Sequence, residues 1–333
     1  EYYFDPAFSS TVNLKGASPI YSHEGTAEDL AETEYIYGGG NEGDVCGNTY
    51  VNLGNGRIYD AFGGACDADI LGHTEVVIGR QPNGSGGYKL GFPWIRDIVY
   101  GGNDFGGEIK GAYEDGFDAT ARVQNYATVK EQLHGYSEGK HDYLLKGSSY
   151  VEYLQGRVDT IFGGGYGYYD YANKPELYGV GSEMPRQESS FVNLRPVSND
   201  RNSIVGVFGA GTGYPGNRAD DEAQDHSYVL VDLTHDNNEG FKNMVVFGAG
   251  SYNGVGMRED KATTFAPGYD LEKVSAVVDL LHGEIGNAYG GSYREGNTAR
   301  TVVNVPEESN IKVKNIFGGA YGLSILPPCD VIL

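Results

Sequence analysis

Two short apolar patterns alternate along this chain. The first is a β-type run that ends on an aromatic residue and two small ones. It appears as "YIYGGG" at 35–40, "IYDAFGGA" at 58–65, "IRDIVYGGN" at 95–103 and "VDTIFGGG" at 158–165, and returns four more times, ending with "VKNIFGGA" at 313–320. The second is a small polar residue followed by alternating β-formers, as in "TYVNL" at 49–53, "TEVVI" at 74–78, "SYVEY" at 149–153 and "SFVNL" at 190–194. A copy of it, "STVNL", precedes the first glycine phrase at 10–14, and another, "CDVIL", closes the chain at 329–333. Period-two alternation of Val, Ile and aromatic residues predicts strands, and the 3.6-residue period of a helix is missing.

The spacing of the phrases predicts how the strands are arranged. The small-residue steps begin at Gly38, Gly63, Gly101, Gly163, Gly209, Gly248, Gly290 and Gly318, at intervals of 25, 38, 62, 46, 39, 42 and 28. An interval of 25 residues holds one supersecondary unit of a stacked repeat but not the four strands of a propeller blade. The expected fold is therefore all-β: one elongated parallel β-helix (β-solenoid) over 1–333, right-handed, with about eight rungs and long loop insertions on one edge.

Stacked rungs explain the glycines. A chain that bends at the same place in every rung needs a residue without Cβ there, and Gly63-Gly64 is such a corner. The residue before it, Phe62, would stack with Tyr37, Tyr100, Phe162, Phe208, Phe247, Tyr289 and Phe317. Val76 and Ile78 of the second phrase would fill the interior, and the Ser or Thr that heads each copy would form a hydroxyl ladder.

Most of the extra length falls after the glycine phrase, in 104–147, 166–188, 212–225 and 251–273, with "RQPNGSGGYKLGFPW" at 80–94 on the other side. One-sided insertions in a repeat protein build a binding face. Here they carry Tyr166, Tyr168, Tyr169, Tyr171 and Tyr178, with Tyr214 and Tyr252 at the start of the next two insertions. Tyrosines offer a flat apolar ring and a polar tip, suited to a glycan or a host protein; the competing reading is that they fasten the loops to the rod. The acidic run with Asp220, Asp221, Glu222 and Asp225 supplies oxygens of the kind calcium takes, without EF-hand spacing, and solvated acidic loops are the plainer reading.

Composition narrows the function. The net charge is -22, with 46 acidic and 24 basic residues, which excludes a phosphate-binding surface and hence nucleic acid. Disorder, the other reading of acidic chains, is opposed by 27 Tyr and 13 Phe in regular runs. No apolar run reaches the roughly 20 residues of a membrane-spanning helix, so no membrane insertion by this segment is expected. The three cysteines (Cys46, Cys66, Cys329) form no disulfide framework or metal spacing. The seven His are scattered, and Gly-x-Ser-x-Gly, His-Glu-x-x-His and Walker A patterns are absent. Catalytic residues are therefore not assigned. A β-helix lyase or glycosidase remains an alternative, and its mark would be two or more carboxylates and a basic residue converging on the side wall. A phage fibre or spike is a third reading and predicts a trimer.

The fullest repeat, "IYGGGNEGDVCGNTYVNLGNGRIYDAFGGACDADILGHTEVVIG" at 36–79, resembles glycine-rich repeats of large cell-envelope proteins of Bacteroidota and some Firmicutes. The resemblance covers most of the chain as degenerate rungs and leaves the insertions outside it. It implies an exported β-solenoid, an adhesin or surface-layer-like protein at the cell surface or outside the cell. Its expected partners are other copies or domains of a surface protein. The incomplete rungs at both ends, "STVNL" and "CDVIL", are expected of a segment of a longer protein.

Overall fold

The computed structural model describes residues 5–15, 32–111, 148–170, 184–197, 201–215, 222–224, 226–234, 239–252, 254–256, 275–294, 298, 300–322 and 329–332. Among them the chain is all-β, with one short 3-10 turn at Pro6–Phe8 and no α-helix. Two long parallel sheets hold most of the strands.

The front sheet has nine strands: Ser10–Lys15, Thr49–Asn55, Thr74–Ile78, Ser148–Tyr153, Ser189–Leu194, His226–Asp232, Ala276–His282, Thr301–Asn304 and Cys329–Ile332. The back sheet has eight: Glu32–Tyr37, Arg57–Phe62, Trp94–Tyr100, Arg157–Phe162, Ser203–Phe208, Val245–Phe247, Glu284–Tyr289 and Lys312–Phe317. In both sheets spatial order follows sequence order, and the chain visits front and back in turn. Every copy of the second phrase lies in the front sheet, and every glycine phrase ends a back strand. A third line of short parallel pairings runs beside them, from the Val45–Ile70 and Ile70–Ile109 bridges through Arg186–Gln187 against Glu108–Ile109 to Val255–Thr298.

The core lies between the sheets. Val51 and Leu53, Val76 and Ile78, Val151 and Tyr153, and their register partners meet Ile58, Ala61, Ile95, Val99 and Ile161 of the back sheet. The passage from front to back is abrupt. Only Gly56 separates Thr49–Asn55 from Arg57–Phe62, and it takes φ 102°, a conformation that disfavours side chains. The sheets differ on their outer faces. Ser148–Tyr153 and Ser189–Leu194 are buried at every position, as expected of a parallel strand covered on both sides. Back strands such as Arg157–Phe162 leave outward residues like Asp159 exposed.

The glycine edge follows the pattern expected of stacked corners. A methyl group at Gly63 would collide with the carbonyl oxygen of Gly101, and one at Gly163 with that of Gly209. Neighbouring layers therefore approach more closely than any side chain allows. Tyr37, Phe62, Tyr100, Phe162, Phe208, Phe247, Tyr289 and Phe317 stack in one column, with successive centroids 4.3–5.4 Å apart and planes within 18° of parallel. That spacing follows the ~4.8 Å separation of paired strands. The hydroxyls of Thr49, Thr74, Ser149, Ser227 and Thr301 donate to the carbonyls of Gly63, Gly101, Gly163, Gly248 and Gly318 at 2.5–2.6 Å. Ser190 donates likewise to Gly209. These bonds tie the heads of six front strands to the ends of the back strands that follow them.

Candidate functional site

Two regions outside the core gather chemically useful side chains. The first grows from the glycine edge. After Phe162 the chain runs through three glycines and reaches Tyr166, whose ring lies 5.4 Å from Tyr100. Tyr169 packs edge-on against Phe105 and donates its hydroxyl to Asp104 at 2.9 Å, which also accepts from Tyr37 at 2.8 Å. Burial pushes the Asp104 carboxyl up, while these two hydroxyls pull it down. Both tyrosine hydroxyls are raised, first by burial and then by the Asp104 carboxylate. Tyr166 and Tyr169 thus fasten this segment to the glycine edge of the sheets.

Tyr168 does something different. It is 38 % exposed, and its ring meets Tyr214 at 5.2 Å and Tyr252 at 6.0 Å. Arg294 lies 5.6 Å from the Tyr252 ring and 5.0 Å from that of Tyr293, which stacks on Tyr321 at 5.3 Å. Five of the tyrosines singled out in the sequence (Tyr166, Tyr168, Tyr169, Tyr214 and Tyr252) therefore join one contact network. Tyr171 and Tyr178 lie outside the described residues. So do Asp220, Asp221 and Asp225, and of Glu222 only the backbone is described, paired with Gly254. Among the described residues no group of three or more His, Cys, Asp and Glu is placed to hold a metal ion.

The second region lies at the far ends of the front strands. The insertion at 80–94 forms an antiparallel hairpin, Arg80–Pro82 against Tyr88–Leu90. The hairpin walls a cleft of about 530 Å³, whose other described lining residues include Glu152, Leu154, Arg195, Val197 and Asp232. A smaller cavity of about 300 Å³ adjoins it at Thr234. Arg80 is held by Glu75 at 2.8 Å and Asn52 at 2.8 Å, and stacks over Tyr88. Arg195 stands 3.6 Å from Asp232, which also pairs with His282 at 2.8 Å and accepts the Thr234 hydroxyl. Burial alone would raise the Asp232 carboxyl, but Thr234, His282 and Arg195 together hold it below its ordinary value.

Glu152 is the outlier of the cleft. It is 0 % exposed, and neither carboxylate oxygen has a hydrogen-bond partner among the described residues. Burial, reinforced by Glu75, pushes its carboxyl up to about 7 against the pull of Arg80 and Arg195. Sequence reasoning passed over this cleft. The available signal was a charge inside an apolar strand phrase, the Glu of "SYVEY" and of "TEVVI", at positions that alternate with core residues. The chain matches no family model, no curated protein and no solved structure.

Proposed function

We propose that this is a non-enzymatic parallel β-solenoid of a bacterial cell surface, which contacts a glycan or a host protein through its tyrosine strip. The winding is supported by the regular visit to front sheet, back sheet and third line of pairings, and parallel crossovers of this kind are right-handed. The glycine-rich repeat, resembling envelope proteins of the adhesin or surface-layer kind, supports the location. Among the described residues the outermost front strands, Ser10–Lys15 and Cys329–Ile332, each pair on one side only, so further copies or domains could add there. Calcium enters this reading only as a ligand of the acidic run at 220–225.

The observation that carries the functional reading is the open cluster of Tyr168, Tyr214 and Tyr252, with Arg294 stacked on its end. Flat rings held by their neighbours offer contact area at little cost in side-chain entropy. The polysaccharide-cleaving alternative would need Glu152 and Asp232 as an acid–base pair. Both Asp232 oxygens are already engaged, which favours binding over cleavage.

The test is binding of the full chain to immobilised polysaccharides and soluble host glycoproteins, compared with the Tyr168→Ala/Tyr214→Ala/Tyr252→Ala variant. At least a tenfold loss of affinity with an unchanged circular dichroism spectrum is expected. Undiminished binding by the variant overturns the reading, and so does depolymerisation of any polysaccharide by the wild type.

A further inference from the structure

We propose that the cleft between the 80–90 hairpin and the ends of the front strands is a second binding site, one that takes an uncharged, hydroxyl-rich ring such as a pyranose. It is separate from the tyrosine strip and stands whether or not that strip binds anything.

Three features of the cleft define its ligand. The first is size. A volume of about 530 Å³ falls within the ~300–1,000 Å³ of small-molecule sites, and the cavity beyond Thr234 extends it for a longer ligand. The second is the apolar rim. Tyr88, Leu90 and Val197 are among the few large apolar side chains left exposed, and all three line this one cleft. Exposed apolar side chains gathered at a concave site mark a surface that something else covers.

The third is the state of the charges. Arg80, Lys89 and Arg195 are balanced by Glu75, Asp232 and Glu152 when that carboxyl is ionised, so the cleft then has no net positive charge with which to draw in an anion. A cationic ligand would meet two guanidinium groups next to the carboxylate it sought. That leaves Glu152. A buried carboxyl with both oxygens unpartnered is rare in a folded protein, because each unmade hydrogen bond leaves the cost of desolvation uncompensated. Its side chain alternates with those of Val151 and Tyr153, which point to the core, so it faces outward with Leu154 into the cleft. A sugar hydroxyl fits it in either protonation state, since a hydroxyl donates to a carboxylate and accepts from a carboxylic acid. The apolar face of the ring would lie against Leu90 and Val197.

The test is titration calorimetry of the full chain with methyl β-glucoside, methyl β-galactoside, N-acetylglucosamine, cellobiose and galacturonate. At least one neutral sugar should bind, and galacturonate should bind at least tenfold more weakly than that sugar. Glu152→Leu should weaken binding tenfold or more, while the isosteric Glu152→Gln, which keeps a donor and an acceptor, should cost less. Val197→Trp fills the cleft from an exposed position and should abolish binding without disturbing the fold. Tyr168→Ala should leave it unchanged, which separates this site from the tyrosine strip. Failure of every neutral sugar to bind overturns the proposal. Preference for galacturonate, or binding that survives Val197→Trp, does so as well.

Discussion

Along the glycine edge every layer brings the same atoms to the same place: a glycine carbonyl, a ring in the stack and, in most layers, a hydroxyl from the front strand. At the other end of the same strands the register partners differ. Glu152 stands between Val77 and Asn193, and Asn193 in turn stands beside Leu230. Repetition at the edge means that each interaction is supported from both sides, so it serves the stability of the stack. At the cleft the column changes character from layer to layer, through Val77, Glu152, Asn193, Leu230 and Asp279, so no single interaction is supported from both sides. A residue that does not repeat in a repeating structure is where a ligand should be sought.

The strongest way to break the contrast is at the edge. Gly163→Ala places a methyl group on the Gly209 carbonyl in the middle of the stack, where no flexible side chain can yield. A loss of about 4 kcal/mol or more is expected in urea unfolding. Gly43→Ala, where nothing lies within 4 Å, should stay within about 0.5 kcal/mol of wild type. Next in size is Phe208→Ala, which removes a ring with a stacking partner on either side. It should cost about 3–5 kcal/mol, against about 1 kcal/mol for Phe317→Ala, where the ring is 44 % exposed at the end of the column.

Smaller effects sharpen the comparison. Ser190→Ala strands the Gly209 carbonyl and the Gln224 amide that donates to the same hydroxyl, at a cost of about 1–3 kcal/mol. The chain contains the converse experiment, because Ala276 occupies the register position held by Ser227 and Thr301 in its neighbours. Ala276→Ser should restore the missing donor to Gly290 and raise stability by about 1 kcal/mol.

The cleft responds to pH instead. The Glu152 carboxyl is raised by burial, so the folded state holds its proton more tightly than the unfolded chain does. Its contribution to stability is complete below the ordinary Glu value of ~4.3 and is lost as pH rises through about 7. Denaturant midpoints measured from pH 5 to 8 should fall in the wild type and fall less in Glu152→Gln.

The edge was legible in the sequence and the cleft was not, for the same physical reason. Gly63, Phe62 and Thr74 declare themselves because their types recur at fixed offsets, and recurrence over eight glycine phrases identifies a stacked position without any knowledge of contacts. Register then followed, and each phrase lies in the sheet that its pattern implied. Gln187 and Gln224, whose amides donate to the Ser149 and Ser190 hydroxyls at 2.5 Å, escaped notice because they sit in segments of irregular length. The tyrosines at 166–169 were found by composition, but only geometry separated Tyr166 and Tyr169, which fasten the loop, from Tyr168, which stands open. The cleft draws Arg80, Glu152, Arg195 and Asp232 from four different layers, and no local window contains more than one of them.

Thermal unfolding of three proteins, each with and without the best-binding neutral sugar, tests the division of labour between edge and cleft most directly. Wild type should show a melting temperature raised by the sugar. Ser190→Ala should melt lower than wild type and gain the same increment from sugar, because the edge holds the fold and leaves the cleft intact. Glu152→Leu should melt no lower than wild type at pH 8 and gain nothing, or far less, from sugar. If Ser190→Ala loses the increment, or Glu152→Leu keeps it, edge and cleft are not separate devices and the account is wrong.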